Sequence, residues 1–157
     1  MNDKDYKQSL LFIKNTSRIL DQYRIAVKNG CIDPNLAHTL FINACVGLLI
    51  VPQQSIFDGL PNTPIDENDW GLMPDNIVNI KNDDKSVRNV ALMIRHSIAH
   101  YNFHFEYNEE LSIPIKTNSF ENWNNEFTAT FDFEDFKKFV LKVADEAVKY
   151  MQREIDN

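Results

Sequence analysis

Cysteine is scarce in this 157-residue chain, and neither Cys31 nor Cys45 has another Cys or a His at zinc-finger spacing. A disulfide framework is excluded, and both are read as reduced packing residues. Glycine (4) and proline (6) are too few for a linker, a collagen-like fibre or a low-complexity chain. The longest nearly apolar run, Leu40 to Val51, covers about 12 residues and contains Asn43, against the roughly 20 that a bilayer needs. It reads as a buried helix with no membrane role. The first residues, Met1 to Asp5, are polar and charged without an apolar signal-peptide core, so a cytoplasmic location is expected. There is also no Gly-rich phosphate loop, no His-Glu-x-x-His and no Gly-x-Ser-x-Gly elbow, so nucleotide hydrolysis, zinc proteolysis and serine-hydrolase chemistry have no support.

Positive charge is in deficit too. Sixteen Lys and Arg face 23 Asp and Glu, a net charge of −7, which argues against a protein that coats nucleic acid through a general basic surface. The distribution says more than the sum: residues 30–80 hold no Lys or Arg at all, whereas 1–29 and 81–100 are net positive. The second basic segment also holds two of the four histidines. Solvated helix faces account for most patterns of this kind.

The composition is otherwise that of a globular protein, 43% hydrophobic and 25% charged. A single domain over 1–157 can bury roughly 70% of the surface of its unfolded chain. Tyr6, Leu10, Ile13, Leu20 and Val27 share a face at helical spacing before Asn29-Gly30, which predicts a helix over 4–28. Asp33-Pro34 starts a second helix through Leu36, Leu40, Phe41, Ala44, Leu48 and Val51, stopped by Pro52. Being nearly apolar all round from Leu40, it is expected at the centre of a bundle. Residues 52–84 carry four prolines and two glycines; a short helix around Asn76 to Ile80 and packing by Trp70 or Phe57 are expected there.

Asp83 or Asp84 is the expected cap of a third helix through Val87, Val90, Ala91, Ile94 and Ile98, which should fade near Tyr101-Asn102. The period then changes to two in Leu111, Ile113 and Ile115 and again in Phe127, Ala129 and Phe131. That predicts a hairpin with its tip around 118–124, including Trp123, and with Pro114 confining the first strand to an edge. Asp132, with Asp135 three residues on, is the expected cap of a last helix through Phe136, Phe139, Val140, Val143, Ala147, Tyr150 and Met151. The expected fold class is mainly α, four main helices with a β-hairpin inserted before the last.

One stretch carries candidate chemistry, Arg95-His96-Ser97-Ile98-Ala99-His100-Tyr101-Asn102. Arg95 and His100 lie five apart at the end of the third helix, where the last turn brings a guanidinium and an imidazole toward one pocket. Such a pair suits a phosphodiester, because histidine exchanges protons near neutral pH and arginine holds non-bridging phosphate oxygens. With RNA the nucleophile is the substrate's own 2′-hydroxyl, so no metal and no cofactor are expected. The spacing alone is weak, with about 0.4 chance matches expected in a chain of this composition. Two other readings stay open: cations offsetting the dipole at the helix C-terminus, and a metal-binding ladder of His96, His100 and His104 if the helix ran on.

The motif resembles the HEPN superfamily signature, an Arg, usually a polar residue next, three further residues and a His, late in a helix of a small α-bundle. Arg95 to His100 fits it without a gap, and the second helix, "NACVGLLIVPQQ", and the hairpin before the last helix resemble one bacterial branch of the superfamily. The resemblance implies a HEPN-type bundle and a metal-independent endoribonuclease, often a toxin or phage-defence protein, whose dimer makes one composite cleft from two Arg/His motifs. It also implies RNA as substrate, an antitoxin as a candidate partner, and no membrane role. By position, Arg95 would bind and polarise the scissile phosphate and His100 would act as acid or base, with His96, Ser97 and Asn102 auxiliary. Where the toxins paired with a nucleotidyltransferase antitoxin often carry Tyr, two residues after the His, this chain has Asn102. Some superfamily members only bind RNA, nucleotides or partner proteins, which is the alternative function.

Overall fold

The structure, a computed structural model, describes residues 3–33, 36–51, 54–103, 106–107, 111–117 and 126–157. Two long helices, α1 (Asp3–Lys28) and α4 (Phe133–Asp156), pack against each other, with the shorter α2 (Ala37–Cys45) and α3 (Val87–Ala99) completing the bundle. Strands β1 (Ile77–Ile80), β2 (Glu106–Tyr107), β3 (Leu111–Thr117) and β4 (Phe127–Asp132) form one antiparallel sheet in the order β1-β4-β3-β2. The expected mainly helical bundle with a hairpin before its last helix is therefore present, and the hairpin is the middle of a larger sheet. The expected tip, 118–124 with Trp123, and the prolines Pro34 and Pro52 lie outside the described residues.

Period-two burial explains how the sheet attaches. Phe127, Ala129 and Phe131 of β4 are buried, and the Phe131 ring stacks on Phe136 of α4 at 6.3 Å between centroids. Phe136, Phe139, Val140, Val143, Ala147 and Met151 recur at helical spacing along the buried face of α4. Phe41 of α2 meets Phe133 and Phe136 edge-on, which joins the second helix to the same core. Trp70 and Phe57 are buried, as expected for the packing residues of the long connection.

Five expectations need correction. Residues 77–80 are strand, preceded by a 3-10 turn, Pro74–Asn76. The register shifts between Ile77 and Asn79, and this bulge lets Ile77 and Ile80, three apart like neighbours on a helix, both face inward. The cap of α3 is Ser86, whose Oγ accepts from the Asn89 N–H at 3.3 Å; the Asp84 carboxylate accepts from the Ser86 N–H instead. The second helix is not enclosed all round, because Val46 and Val51 are exposed. Cys31 is exposed in the turn after α1, so only Cys45 is a packing residue; burial pushes its thiol pKa up and keeps it protonated. Finally, β3 has strands on both sides, but the two-residue β2 pairs only with Leu111 and Ser112, and Pro114 lies beyond it.

The start of α3 is fixed with unusual completeness. A helix leaves its first N–H groups without intrahelical partners. Here the Val87 and Arg88 N–H groups donate to the carbonyls of Thr63 and Pro61 at 3.0 and 3.2 Å, and Asn89 donates to the Ser86 hydroxyl. With Val87, Val90, Ala91, Ile94 and Ile98 buried, the helix that carries the Arg/His motif is held along its length. Among the described residues no helix is long and apolar enough to cross a membrane.

Candidate functional site

At about 100° per residue, the turns of α3 send Ile94, Ser97 and Ile98 inward and Arg95, His96, Ala99 and His100 outward. Arg95 is half-buried. Its Nε donates to the Leu49 carbonyl at 3.1 Å, and its guanidinium carbon lies 5.8 Å from the Phe57 ring centroid. Leu49 belongs to a π-helical turn, Val46–Ile50, that extends α2, where the Val51 N–H reaches back to the Val46 carbonyl. Carbonyls at such a helix end lack intrahelical partners, and Arg95 supplies one from the next element. Gly47 permits this turn to lie against α1, since a Cβ there would sit 2.8 Å from Phe12 and Thr16 side-chain atoms.

No carboxylate pairs with Arg95 among the described residues, and burial lowers its pKa. A partly dehydrated guanidinium attracts an anion that can accept bidentate hydrogen bonds. Beside it, the rings of His96 and His100 are parallel, 6° apart in plane and 6.3 Å between centroids, one helical turn apart. Burial, then the charges of Arg95 and His100, lowers the His96 pKa, while Glu126 opposes the shift. His96 therefore favours the neutral form that accepts a proton. Glu126 is itself ion-paired with Lys81 at 3.1 Å.

The structure thus brings Arg95, His96 and His100 to one end of α3 and turns one of the other two auxiliary residues, Ser97, away from them. Ser97 is fully buried, and its hydroxyl donates to the Met93 carbonyl at 2.9 Å, so it faces the core. Asn102 takes part through its backbone, its N–H closing the helix end on the Ser97 carbonyl at 2.8 Å. His104 lies outside the described residues. Among the described residues no group of three His, Cys, Asp or Glu side chains is placed to hold a metal.

Sequence reasoning missed the Leu49 carbonyl, the Phe57 ring under Arg95, and Glu126. No side-chain pattern announces a backbone acceptor 46 residues away. Glu126 leads directly into the alternating Phe127 strand, and only that position hinted that it is fixed in space.

The family model described as HEPN pEK499 p136 matches residues 1–154. No curated protein and no solved structure matches the chain.

Proposed function

The chain belongs to the HEPN family, and on that footing we propose that it is an endoribonuclease that cleaves RNA through the substrate's 2′-hydroxyl, serving as a toxin or phage-defence protein. The observation that carries this reading is Arg95, a half-buried guanidinium with no carboxylate partner among the described residues, whose charge acts on His96, the ring that lies parallel to His100. Arg95 holds the non-bridging oxygens of the scissile phosphate as charge builds on them. One imidazole takes the 2′-hydroxyl proton, the 2′-oxygen bonds to phosphorus, the bond from phosphorus to the 5′-oxygen breaks, and a second acid returns a proton to that oxygen. The products are a 2′,3′-cyclic phosphate and a 5′-hydroxyl.

Two proton-transfer groups are needed, and a two-fold dimer that pairs the α3 ends supplies one His100 from each subunit. Closed symmetry stops the assembly at two. Two guanidinium groups and four imidazoles then crowd one cleft, which favours neutral histidines and an anion between them.

The rival reading is a HEPN module that binds RNA, nucleotide or a protein without cleaving. The tether of Arg95 to Leu49 and Phe57 favours it, because a guanidinium held that way also serves as a structural clamp. Purified protein incubated with unstructured RNA in EDTA separates the two. Cyclic-phosphate ends that vanish in His100→Ala support the nuclease; intact RNA that is nonetheless bound supports the module; equal cleavage by His100→Ala refutes the site.

A further inference from the structure

The residue after His100 has a backbone that its side chain disfavours. Tyr101 has φ +60°, the left-handed region that glycine enters freely and bulky residues rarely do. The conformation is imposed by the way α3 ends. The Asn102 N–H bonds to the Ser97 carbonyl at 2.8 Å and the Tyr101 N–H to the Ile98 carbonyl at 3.2 Å, the paired closure that requires a left-handed residue between. Helix α1 ends on the same pair of bonds, Cys31 to Ala26 and Gly30 to Val27, and there the left-handed residue is Gly30, at φ +70°.

Packing does not account for tyrosine at the second end. Tyr101 is 85% exposed, so its ring gains little from burial. It leans on Phe103, 5.3 Å between centroids at a 44° tilt, and Phe103 is half-buried against the core. An aromatic face is thereby presented to water on a fixed support, one residue from His100 and at the same helix end as Arg95. Strain at an exposed ring beside a candidate reaction centre points to a ligand that the ring receives.

We propose that Tyr101, backed by Phe103, is the stacking platform for a nucleobase of single-stranded RNA whose phosphate is held at Arg95. The proposal rests on the ribonuclease reading and adds the substrate class to it. Every base has a π-face to offer an aromatic ring, but the bases of a duplex are already stacked on each other. The platform therefore selects unpaired RNA with little regard for sequence.

The test uses a fluorescent, uncleavable 2′-O-methyl oligonucleotide, single-stranded or annealed to its complement, titrated against the full chain by anisotropy. Tyr101→Gly fits the left-handed position better than tyrosine does, so its thermal midpoint should hold or rise while single-strand affinity falls roughly five- to a hundred-fold, the span of one base stack. Duplex affinity should not follow, and Tyr101→Phe should restore the single-strand affinity because the ring, and not the hydroxyl, does the stacking. Wild-type affinity in Tyr101→Gly, with binding still lost in Arg95→Ala, overturns the platform and leaves the ribonuclease reading standing. Dissociation of a dimer by Tyr101→Gly in light scattering overturns it as well, since the ring would then be a subunit contact. If the wild-type protein binds neither oligonucleotide, the ribonuclease reading itself falls.

Discussion

Helices α1 and α3 close on the same two backbone hydrogen bonds, yet one passes through Gly30 and the other through Tyr101. The first end is a stop: among the described residues nothing lies within 4 Å of where a Gly30 Cβ would be. The second end carries a guanidinium with no carboxylate partner among the described residues, two parallel imidazoles and an exposed ring held at a disfavoured φ. The contrast separates what a helix terminus costs from what it is used for. Where only geometry matters the sequence takes the cheapest residue, and where a surface is presented to a ligand it tolerates a worse one.

The two helix ends should differ most in chemistry. His100→Ala is expected to lower RNA cleavage by about 10²–10⁴-fold, the usual contribution of one proton-transfer group, while the melting temperature barely moves because the side chain is exposed. Cleavage by gel assay and unfolding by circular dichroism on the same preparation check it. A large loss of stability would make the α3 end a structural stop like that of α1. Next in size is the buried side of α3, where Ile94→Ala removes a fully buried side chain and should cost about 2–5 kcal/mol in a denaturant titration. Equal costs for His100→Ala and Ile94→Ala would erase the distinction between the two faces.

Exchanging the residues isolates the backbone strain at each end. Gly30→Tyr meets no described neighbour within 4 Å at φ +70°, so about 1–2 kcal/mol of strain is offset only by about 0.5–1 kcal/mol from the lost glycine entropy of the unfolded chain, and a net destabilisation of roughly 1 kcal/mol is expected. Tyr101→Gly relieves the same strain, partly offset by about 0.5–1 kcal/mol of added glycine entropy in the unfolded chain, and should be neutral to slightly stabilising. Urea midpoints for the two variants should therefore move in opposite directions or differ by at least the Gly30 cost.

Much of this architecture is legible in the sequence because three helices keep their period over many turns. Ile13 of α1, Val90 and Ile94 of α3, and Phe136 to Met151 of α4 are buried where the spacing puts them. Strand β1 was not legible, since a bulge gives Ile77 and Ile80 a helical spacing. The cap of α3 was displaced for a similar local reason: Asp84 has the better carboxylate, but it bonds to the Ser86 N–H and leaves the helix start to the hydroxyl. At the site, Arg95, His96 and His100 could be read from their order, and the inward turn of Ser97 follows from its place three residues after Ile94. The tether of Arg95 to a π turn could not, because the acceptor is backbone from a distant segment. Nor could the φ of Tyr101, since the usual glycine that marks this closure is missing.

The smallest expected effect concerns protons at the α3 end, which α1 has no means to show. Burial, followed by the charges of Arg95 and His100, holds the folded His96 pKa below its ordinary value near 6.5, with Glu126 pulling the other way. In the unfolded chain none of these neighbours remains, so below about pH 6.5 the unfolded state binds the proton first. Above that pH both states are neutral at His96 and the group adds nothing to the pH dependence. As pH falls from about 6.5 toward the lowered folded value, stability declines, and below both values the loss is complete. Asp69, whose pKa Lys138 lowers from the ordinary carboxylate range, contributes stability that is still present here and is lost only in stronger acid. A melting series between pH 7.5 and 5.5 should thus fall toward acid, and His96→Gln should flatten it. Phosphate tests the same point from the ligand's side, because an anion seated at Arg95 favours the protonated imidazole. In phosphate buffer the wild-type slope should approach that of His96→Gln, whereas an unchanged slope would mean that no anion reaches the guanidinium.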